Sequence, residues 1–198
     1  ANDMRCIGPC GLTHYRLSII DLSDDGRQPM CNEDGSVWIA YNGEVYNFED
    51  LRKRFNLDAK EHRFVSRTDT EVIIHLYEEL GIECLRYLDG MYALAIWDSK
   101  KRTIYLARDS YGIKPLFYST VKGHFWFGSE IKALLRAPGI NVRPSLESLY
   151  HYLSFDYVPG ELTAFEGIHE LAPGYVASFS WDKREISSQR MHDINYAI

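Results

Sequence analysis

The sequence predicts an α+β fold, in which helices and strands occupy separate blocks of the chain. A helical pattern fills the region from residue 68 to residue 88 without an intervening strand. Four short strand patterns separated by turn residues then follow between Met91 and Gly128, which is typical of an antiparallel meander. Aromatic residues make up 14% of the chain, and this proportion suits a core built on sheets.

The first third of the chain contains two predicted strands and a short helix. Leu17 to Leu22 is an Ile-rich apolar run, and Val37 to Tyr41 is a second strand pattern. Asp24-Asp25-Gly26 predicts a turn between them. Asn47 to Phe55 predicts a short helix, with Asn47 as its N-cap.

The strongest helix signal begins at Thr68. Thr68 and Glu71, three residues apart, form the capping-box pattern. Apolar residues then recur at steps of four, at Val72, Leu76 and Leu80. We expect this helix to end at Gly81, and a second short helix to cover Glu83 to Leu88.

The second half of the chain begins with strands and then mixes in helices. The four predicted strands are Met91 to Trp97, Thr103 to Ala107, Leu116 to Thr120 and His124 to Gly128. Helices are predicted from Ser129 to Arg136 and from Ser145 to Leu153. Tyr175 to Trp181 is the last predicted strand, and the sequence from Arg184 onward is polar.

Composition excludes several classes of partner. The 198 residues carry a net charge of −6, which argues against a surface for nucleic acid or for an anionic membrane. No apolar run approaches the length of a membrane span. Cys6 and Cys10 form a close pair, but no second pair of Cys or His accompanies them, so free thiols are favoured. No two of the seven His have ligand spacing on a helix, and we assign no metal site.

Tyr41-Asn42-Gly43-Glu44-Val45-Tyr46-Asn47 allows two interpretations. Asn-Gly is a strong signal for the turn of a β-hairpin, and taken alone it favours that structure. An Asn amide beside a Gly N–H also supplies two donors that can hold an oxyanion. Arg16 and Asp69, elsewhere in the chain, have the charges to hold the carboxylate and the ammonium group of an amino acid.

Several further motifs occur in series along nearly the whole chain. They are Tyr15 to Leu22, Tyr41 to Asn47, Thr68 to Glu71, Ala107 to Asp109, Gly112 to Leu116, Gly128 to Leu135, Phe155 to Gly160 and Leu171 to Gly174. Together they resemble the N-terminal class II glutamine amidotransferase domain of glutamine-hydrolysing asparagine synthetase. Amidotransferase domains of purine and hexosamine synthesis share parts of this series, but Asn42 to Asn47 resembles the asparagine synthetase form.

The resemblance implies roles for five residues. Asn42 and Gly43 would polarise the amide carbonyl of glutamine as an oxyanion hole, while Arg16 would bind its α-carboxylate. Glu44 and Asp69 would lie beside its ammonium group. Each acid also has a simpler interpretation, Glu44 as a solvated turn acid and Asp69 as an acid stabilised in the first turn of a helix. For Arg16 the simpler alternative is a surface ion pair.

Two further parts of the resemblance have structural alternatives that we favour. Arg108 and Asp109, with Gly112 and Pro115, suit a loop held at the end of a strand. Ser129-Glu130 suits a helix cap better than a catalytic pair.

The start of the chain differs from the family pattern. The nucleophile of the family is a Cys at residue one, whose own α-amino group acts as the base, whereas this sequence begins Ala1-Asn2-Asp3-Met4. Arg16 lies closer to the start than the family pattern places it. We therefore expect the N-terminal-nucleophile fold, a four-layer α/β/β/α sandwich with two antiparallel sheets, to lack its first strand, first helix and nucleophilic Cys here.

The functional expectation follows from this resemblance. Residues 1–183 are expected to form a glutaminase domain, incomplete at its N-terminus, and residues 184–198 a polar tail leading to an absent synthetase domain. That domain would use ATP and Mg²⁺ to convert aspartate to asparagine with the released ammonia, and this chain alone would be inactive and would need no cofactor. The alternatives are a pseudo-amidotransferase that binds or regulates, and an amidotransferase of another pathway. The resemblance implies glutamine and the synthetase domain as partners and a cytoplasmic location, and it leaves a homodimer open.

Overall fold

A computed structural model describes residues 2–15 and 24–192 of the protein. Within these ranges the chain forms a mixed α/β fold with antiparallel sheets, which confirms the predicted class. The strand predicted at Leu17 to Leu22 lies outside the described residues. No helix in the described ranges is both long enough and apolar enough to cross a membrane.

The described residues form eleven strands and four α-helices. The strands are β1 (Asn2–Ile7), β2 (Cys10–Tyr15), β3 (Met30–Cys31), β4 (Val37–Val45), β5 (Gly90–Asp98), β6 (Thr103–Arg108), β7 (Phe117–Val121), β8 (His124–Gly128), β9 (His169–Glu170), β10 (Tyr175–Ser180) and β11 (Glu185–Arg190). The helices are α1 (Phe48–Arg54), α2 (Asp69–Leu80), α3 (Ile131–Leu134) and α4 (Leu146–Phe155). A 3₁₀ segment, Gly81–Tyr87, replaces the second short helix that we predicted.

The strands form two main sheets and a separate hairpin. The larger sheet has the order β11-β10-β6-β5-β4-β3, the smaller one has the order β8-β7-β9, and β1 pairs with β2. All of these pairs are antiparallel. The predicted single meander is therefore wrong, because β5 and β6 belong to the larger sheet while β7 and β8 belong to the smaller one.

The larger sheet separates two hydrophobic cores, because the side chains of each strand alternate between its faces. On one face, Ile39 and Ile96 pack into the core that also holds Leu76 of α2. On the other face, Ala95 and Leu106 belong to a core that includes residues of the hairpin and of the smaller sheet. The helix α2 contacts β3 and β4, and α1 contacts α2.

The N-terminus of α2 follows the predicted capping box only in part. The Thr68 side chain accepts a hydrogen bond from the Glu71 N–H at 3.3 Å, as expected. The Glu71 carboxylate does not return this bond but accepts from the N–H groups of Val65 and Ser66, each at 2.7 Å. Glu71 thus fixes the backbone at Val65 and Ser66, just before α2, against the first turn of the helix.

Two further elements differ from the sequence expectations. The polar tail expected from residue 184 is not what the structure shows, because Glu185–Arg190 form β11 and pair with β10. All six residues of β11 are exposed, so the strand carries no apolar pattern that could identify it. The helix predicted over Ser129 to Arg136 is only one turn, Ile131–Leu134, with Leu134 buried. The division into a domain and a tail stays a prediction for residues 193–198, which lie outside the described ranges.

Candidate functional site

Asn42 and Gly43 lie inside a strand and do not form a turn. β4 continues through them to Val45, and they pair with Ala93 and Tyr92 of β5. The hairpin interpretation of this Asn-Gly is therefore wrong. Register with β5 holds both residues, so their position depends on the sheet and not on a mobile loop.

Gly43 is required by the close approach of β4 to β5. A Cβ atom at this position would lie 2.1 Å from the Met91 carbonyl oxygen and 2.7 Å from the Tyr92 Cα. The same contact occurs in reverse at Gly90, where a Cβ would lie 2.1 Å from the Glu44 carbonyl oxygen. These two glycines let the strands meet closely. A side chain at residue 43 would push apart the strands that position Asn42.

The carboxylate of Asp69 fixes the end of β4 on the α2 side of the sheet. Its Oδ2 accepts hydrogen bonds from the Tyr41 hydroxyl at 2.7 Å and from the Val45 N–H at 2.9 Å. Its Oδ1 accepts from the Thr70 N–H at 2.9 Å, within the first turn of α2. Burial, and then the charge of Asp69, raise the pKa of Tyr41 well above its usual range. Asp69 thus ties the helix to the strand on both sides of Asn42 and Gly43.

Sequence reasoning missed two residues, Gln28 and His14, whose side chains contact the backbone of β4 at Tyr41. The Gln28 side chain accepts a hydrogen bond from the Tyr41 N–H at 2.6 Å and lies 3.4 Å from the Thr70 hydroxyl, to which it donates. The His14 Nε2 lies 2.9 Å from the Tyr41 carbonyl oxygen. Neither Gln28 nor His14 belongs to a motif or to a periodic pattern, so only the tertiary structure identifies them.

The strand pleat separates the predicted site residues. Asn42 and Glu44 have the same parity along β4 and lie on the face toward the smaller sheet, whereas Tyr41 faces α2 and Asp69. Asn42 is exposed and Glu44 is half-buried. The structure therefore brings Asn42, Gly43 and Glu44 together on β4 and places Asp69 behind the strand. The fifth predicted residue, Arg16, lies outside the described residues.

A cavity of about 650 Å³ opens beside Asn42, between the larger sheet, the hairpin and β8. Its walls are largely apolar, with Ala93 and Ala95 on one side and Phe125 and Phe127 on the other. Asn42 brings a polar amide to this wall. An apolar cleft with a few polar groups is typical of a site for a small molecule.

Cys10 also lines this cavity, and it is a poor nucleophile at neutral pH. Burial, with a smaller effect from the thiol of Cys6, raises the pKa of Cys10 to about 12. The thiol therefore stays protonated. Cys84 is buried inside the other core, where burial likewise raises its pKa.

Arg108 and Asp109 hold the loop that leads from one sheet to the other, which confirms the structural interpretation. The buried Asp109 carboxylate accepts hydrogen bonds from the N–H groups of Tyr92, Tyr111, Ile113 and Lys114. The Arg108 guanidinium donates to the carbonyl oxygens of Gly112, Lys114 and Leu171 and pairs with Glu170 at 2.8 Å. This network carries the chain from β6 to β7, and it contains none of the predicted site residues.

Comparison with known proteins shows the family to which the chain is similar. A family model described as a glutamine amidotransferase domain matches residues 2–191. The chain is 42% identical over 173 residues to asparagine synthetase [glutamine-hydrolyzing] 3 of Bacillus subtilis, covering 85% of this chain and 28% of that protein. It is 36% identical over 178 residues to amidase chyE of Penicillium rubens, covering 88% of this chain and 25% of that protein.

The fold has a counterpart among solved structures. Glutamine phosphoribosylpyrophosphate amidotransferase of B. subtilis superposes with a TM-score of 0.61 at 21% identity, covering 92% of this chain and 35% of that one. This likeness supports the fold alone. The chain spans about a quarter of the length of the two curated relatives. Because the family model matches residues 2–191, nearly all of the sequence, the chain belongs to the glutamine amidotransferase domain family.

Proposed function

We propose that this domain is the glutaminase domain of a glutamine-dependent asparagine synthetase. It would bind glutamine and, in the full-length protein, release ammonia for the ATP-dependent amidation of aspartate. The observation that carries the proposal is Asn42, held by strand pairing with its amide at an open cavity, next to a glycine that the backbone geometry requires. The identity to asparagine synthetase 3 of B. subtilis supports the choice of pathway.

In this proposal Asn42 and Gly43 stabilise the charge that develops on the glutamine amide oxygen. The Asn42 carboxamide makes no hydrogen bond among the described residues, so its N–H donors are available to a ligand. Preorganised donors of this kind stabilise a tetrahedral intermediate without reorganising during the reaction. Glu44, on the same face of β4, would pair with the substrate ammonium group.

The proposed roles of Asp69 and Arg16 differ in what supports them. Asp69 already accepts three hydrogen bonds, so we propose that its first contribution is to set the shape of β4 and that its charge acts on the ammonium group from behind the strand. Arg16 is proposed as the ligand of the α-carboxylate on its sequence motif alone.

We do not assign the nucleophile to any of the four cysteines. Cys10, the one that lines the cavity, is protonated at neutral pH. Residues 1–198 alone are therefore proposed not to hydrolyse glutamine. ATP and Mg²⁺ are proposed ligands of the synthetase domain of the full-length protein, and the four-layer arrangement of the N-terminal-nucleophile fold stays a prediction.

The test compares two nitrogen sources in the full-length protein that contains this sequence. Asn42→Ala should lower glutamine-dependent asparagine formation by about 10²–10³-fold, the usual effect of losing one oxyanion donor. Ammonia-dependent formation should change little, because free ammonia needs no amide hydrolysis. Asn141→Ala, at an exposed Asn away from the cavity, is the matched control and should change neither rate. Equal losses with both nitrogen sources would contradict the role of Asn42.

The second candidate is an amidotransferase domain of another pathway. The likeness to amidase chyE favours it, because that protein matches the same length of chain at a similar identity. Glutamine hydrolysis by the full-length protein without asparagine formation from aspartate would support this alternative. A pseudo-amidotransferase would show neither activity, and glutamine binding measured by calorimetry would be lost as well.

A further inference from the structure

Four side chains with metal-binding groups converge on the surface of α2, away from the cavity. Glu33 lies in the turn after β3, His62 lies in the segment that precedes α2, and His75 and Glu78 lie about one turn apart on α2. One ligand atom from each residue lies within 4.8 Å of all the others. The sequence did not reveal this group, because its members come from three segments and only one of them is a helix.

The distances inside the cluster are close to those of a tetrahedral site. Oε2 of Glu78 lies 2.8 Å from Nδ1 of His75 and 3.5 Å from Nδ1 of His62. Oε2 of Glu33 lies 4.0 Å from Nδ1 of His75. Ligands around a tetrahedral zinc ion, with bonds of about 2.0–2.1 Å, are about 3.3 Å apart. Shifts of about 1 Å or less in these side chains would therefore complete the site.

The neighbours of the cluster orient three of its four members. Glu78 accepts a hydrogen bond from the Asn32 amide at Oε1, and Glu33 accepts from the Arg63 N–H at Oε1, so each carboxylate directs Oε2 into the cluster. Nε2 of His62 lies 3.0 Å from Oε1 of Glu79, which leaves Nδ1 facing the cluster. Outer partners that fix the tautomer and direction of a ligand in this way are typical of metal sites.

His75 is held by packing. It is only 2% exposed, and its ring lies 4.4 Å from the His62 ring and 4.6 Å from the Phe64 ring, measured between centroids. Its Nδ1 faces Glu78, while its Nε2 has no hydrogen-bond partner among the described residues. The buried ring therefore directs Nδ1, a nitrogen that can ligate a metal ion in the neutral imidazole, at the carboxylates of Glu78 and Glu33.

We propose that Glu33, His62, His75 and Glu78 bind a divalent transition-metal ion of the zinc class. Two imidazoles favour Zn²⁺ over Mg²⁺ or Ca²⁺, which prefer oxygen ligands, and the two carboxylates balance the charge of the ion. The ion joins the turn after β3 and the segment before α2 to the helix itself. Because Asp69 at the start of this helix holds β4, the site stabilises the scaffold of the candidate glutamine site and takes no part in its chemistry.

The experiment uses the full-length protein after removal of metal with a chelator. Zn²⁺ titrated in calorimetry should bind with one equivalent at this site. A Zn²⁺ concentration a hundredfold above the dissociation constant should raise Tm by about 5 °C or more. Glu33→Gln and His62→Gln should each weaken binding at least tenfold, whereas Glu61→Gln, which removes an exposed acid next to His62, should leave it unchanged. Melting of the metal-free variants shows whether they still fold.

Cobalt identifies the ligand type, because cysteines are the competing explanation. Cys6, Cys10 and Cys31 are exposed or half-exposed thiols that also bind transition metals. Co²⁺ at the proposed site should give visible absorption without a thiolate charge-transfer band, and Cys→Ser at these three positions should leave the spectrum intact. The proposal is overturned if Zn²⁺ does not bind, if Glu33→Gln and His62→Gln bind it as the parent protein does, or if the thiolate band appears. None of these outcomes depends on glutamine, so they are independent of the proposed function.

Discussion

The helices α2 and α4 have similar N-caps, but α2 is mostly buried and α4 is mostly exposed. Each follows an N-cap side chain that accepts a backbone N–H: Thr68 from Glu71 at 3.3 Å, and Ser145 from Ser148 at 3.2 Å. Nine of the twelve residues of α2 are buried, but only Ser148 is buried among the ten residues of α4. The local sequence therefore determines that both helices form, whereas the elements around them determine what they bury.

The apolar residues of α4 lie on the surface. Leu146 is 73% exposed and Leu153 is 76% exposed, and Leu149, Tyr150 and Tyr152 are also exposed. A contiguous apolar surface of this kind is typical of an interaction surface. Within the described residues α4 is thus attached to the domain by few buried contacts, and its side chains should contribute little to stability there.

The largest expected difference in stability is between two Leu→Ala variants, one on α2 and one on α4. Leu76 of α2 is fully buried in the core under β4, so Leu76→Ala should lower the free energy of unfolding by about 2–5 kcal/mol. Leu153→Ala on α4 should lower it by less than about 0.5 kcal/mol, because this Leu already meets solvent. Urea unfolding followed by circular dichroism measures both values. A similar loss in the two variants would mean that α4 is buried in solution.

The second pair of variants compares a tyrosine hydroxyl behind the candidate site with one on α4. Tyr41→Phe removes the hydrogen bond to the Asp69 carboxylate and should lower the free energy of unfolding by about 1.5–3 kcal/mol, as expected for a bond to a charged group. Among the described residues, the Asp69 carboxylate would then keep the backbone N–H groups of Val45 and Thr70 as its donors. Urea unfolding gives the value.

Tyr150→Phe is the matched control for Tyr41→Phe. Tyr150 is 69% exposed, and its hydroxyl makes no hydrogen bond among the described residues. Its replacement should change the free energy of unfolding by less than about 0.5 kcal/mol. Equal effects in the two variants would show that the Tyr41–Asp69 contact does not hold β4 in solution.

The same contrast explains what the sequence predicted and what it did not. Elements with strong local signals were predicted, such as α2 from its cap and periodicity and β5 from its apolar run. The hairpin of β1 and β2 and the edge strand β11 were missed, because most of their described side chains are exposed and no apolar alternation marks them. An edge strand depends on its partner for pairing, and this information lies elsewhere in the chain.

For the candidate site too, local sequence patterns predict residues but not their arrangement in the fold. Motifs predict Asn42, Gly43, Glu44 and Asp69 as site residues, and these roles stay predictions. A motif cannot show that Asn42 and Asp69 lie on opposite faces of β4. The turn chemistry of Asn-Gly was overridden by pairing with β5, which the close contact at Gly43 permits. Gln28 and His14 support the strand from distant positions in the sequence, and no local pattern could have revealed them.

The smallest expected difference between the two helices is at their N-caps. Thr68→Ala and Ser145→Ala each remove one hydrogen bond from a backbone N–H to a cap side chain, and Ser145→Ala should lower the free energy of unfolding by about 1 kcal/mol. Thr68 is buried whereas Ser145 is only half-buried, which places Thr68→Ala toward the upper end of the usual range, about 2 kcal/mol. Urea unfolding of both variants, with Thr→Ser at residue 68 as the conservative control, measures the difference. If Ser145→Ala leaves the free energy of unfolding unchanged while Thr68→Ala lowers it by about 2 kcal/mol, α4 unfolds locally before the rest of the domain. The two helices would then share a cap sequence but not a contribution of that cap to stability.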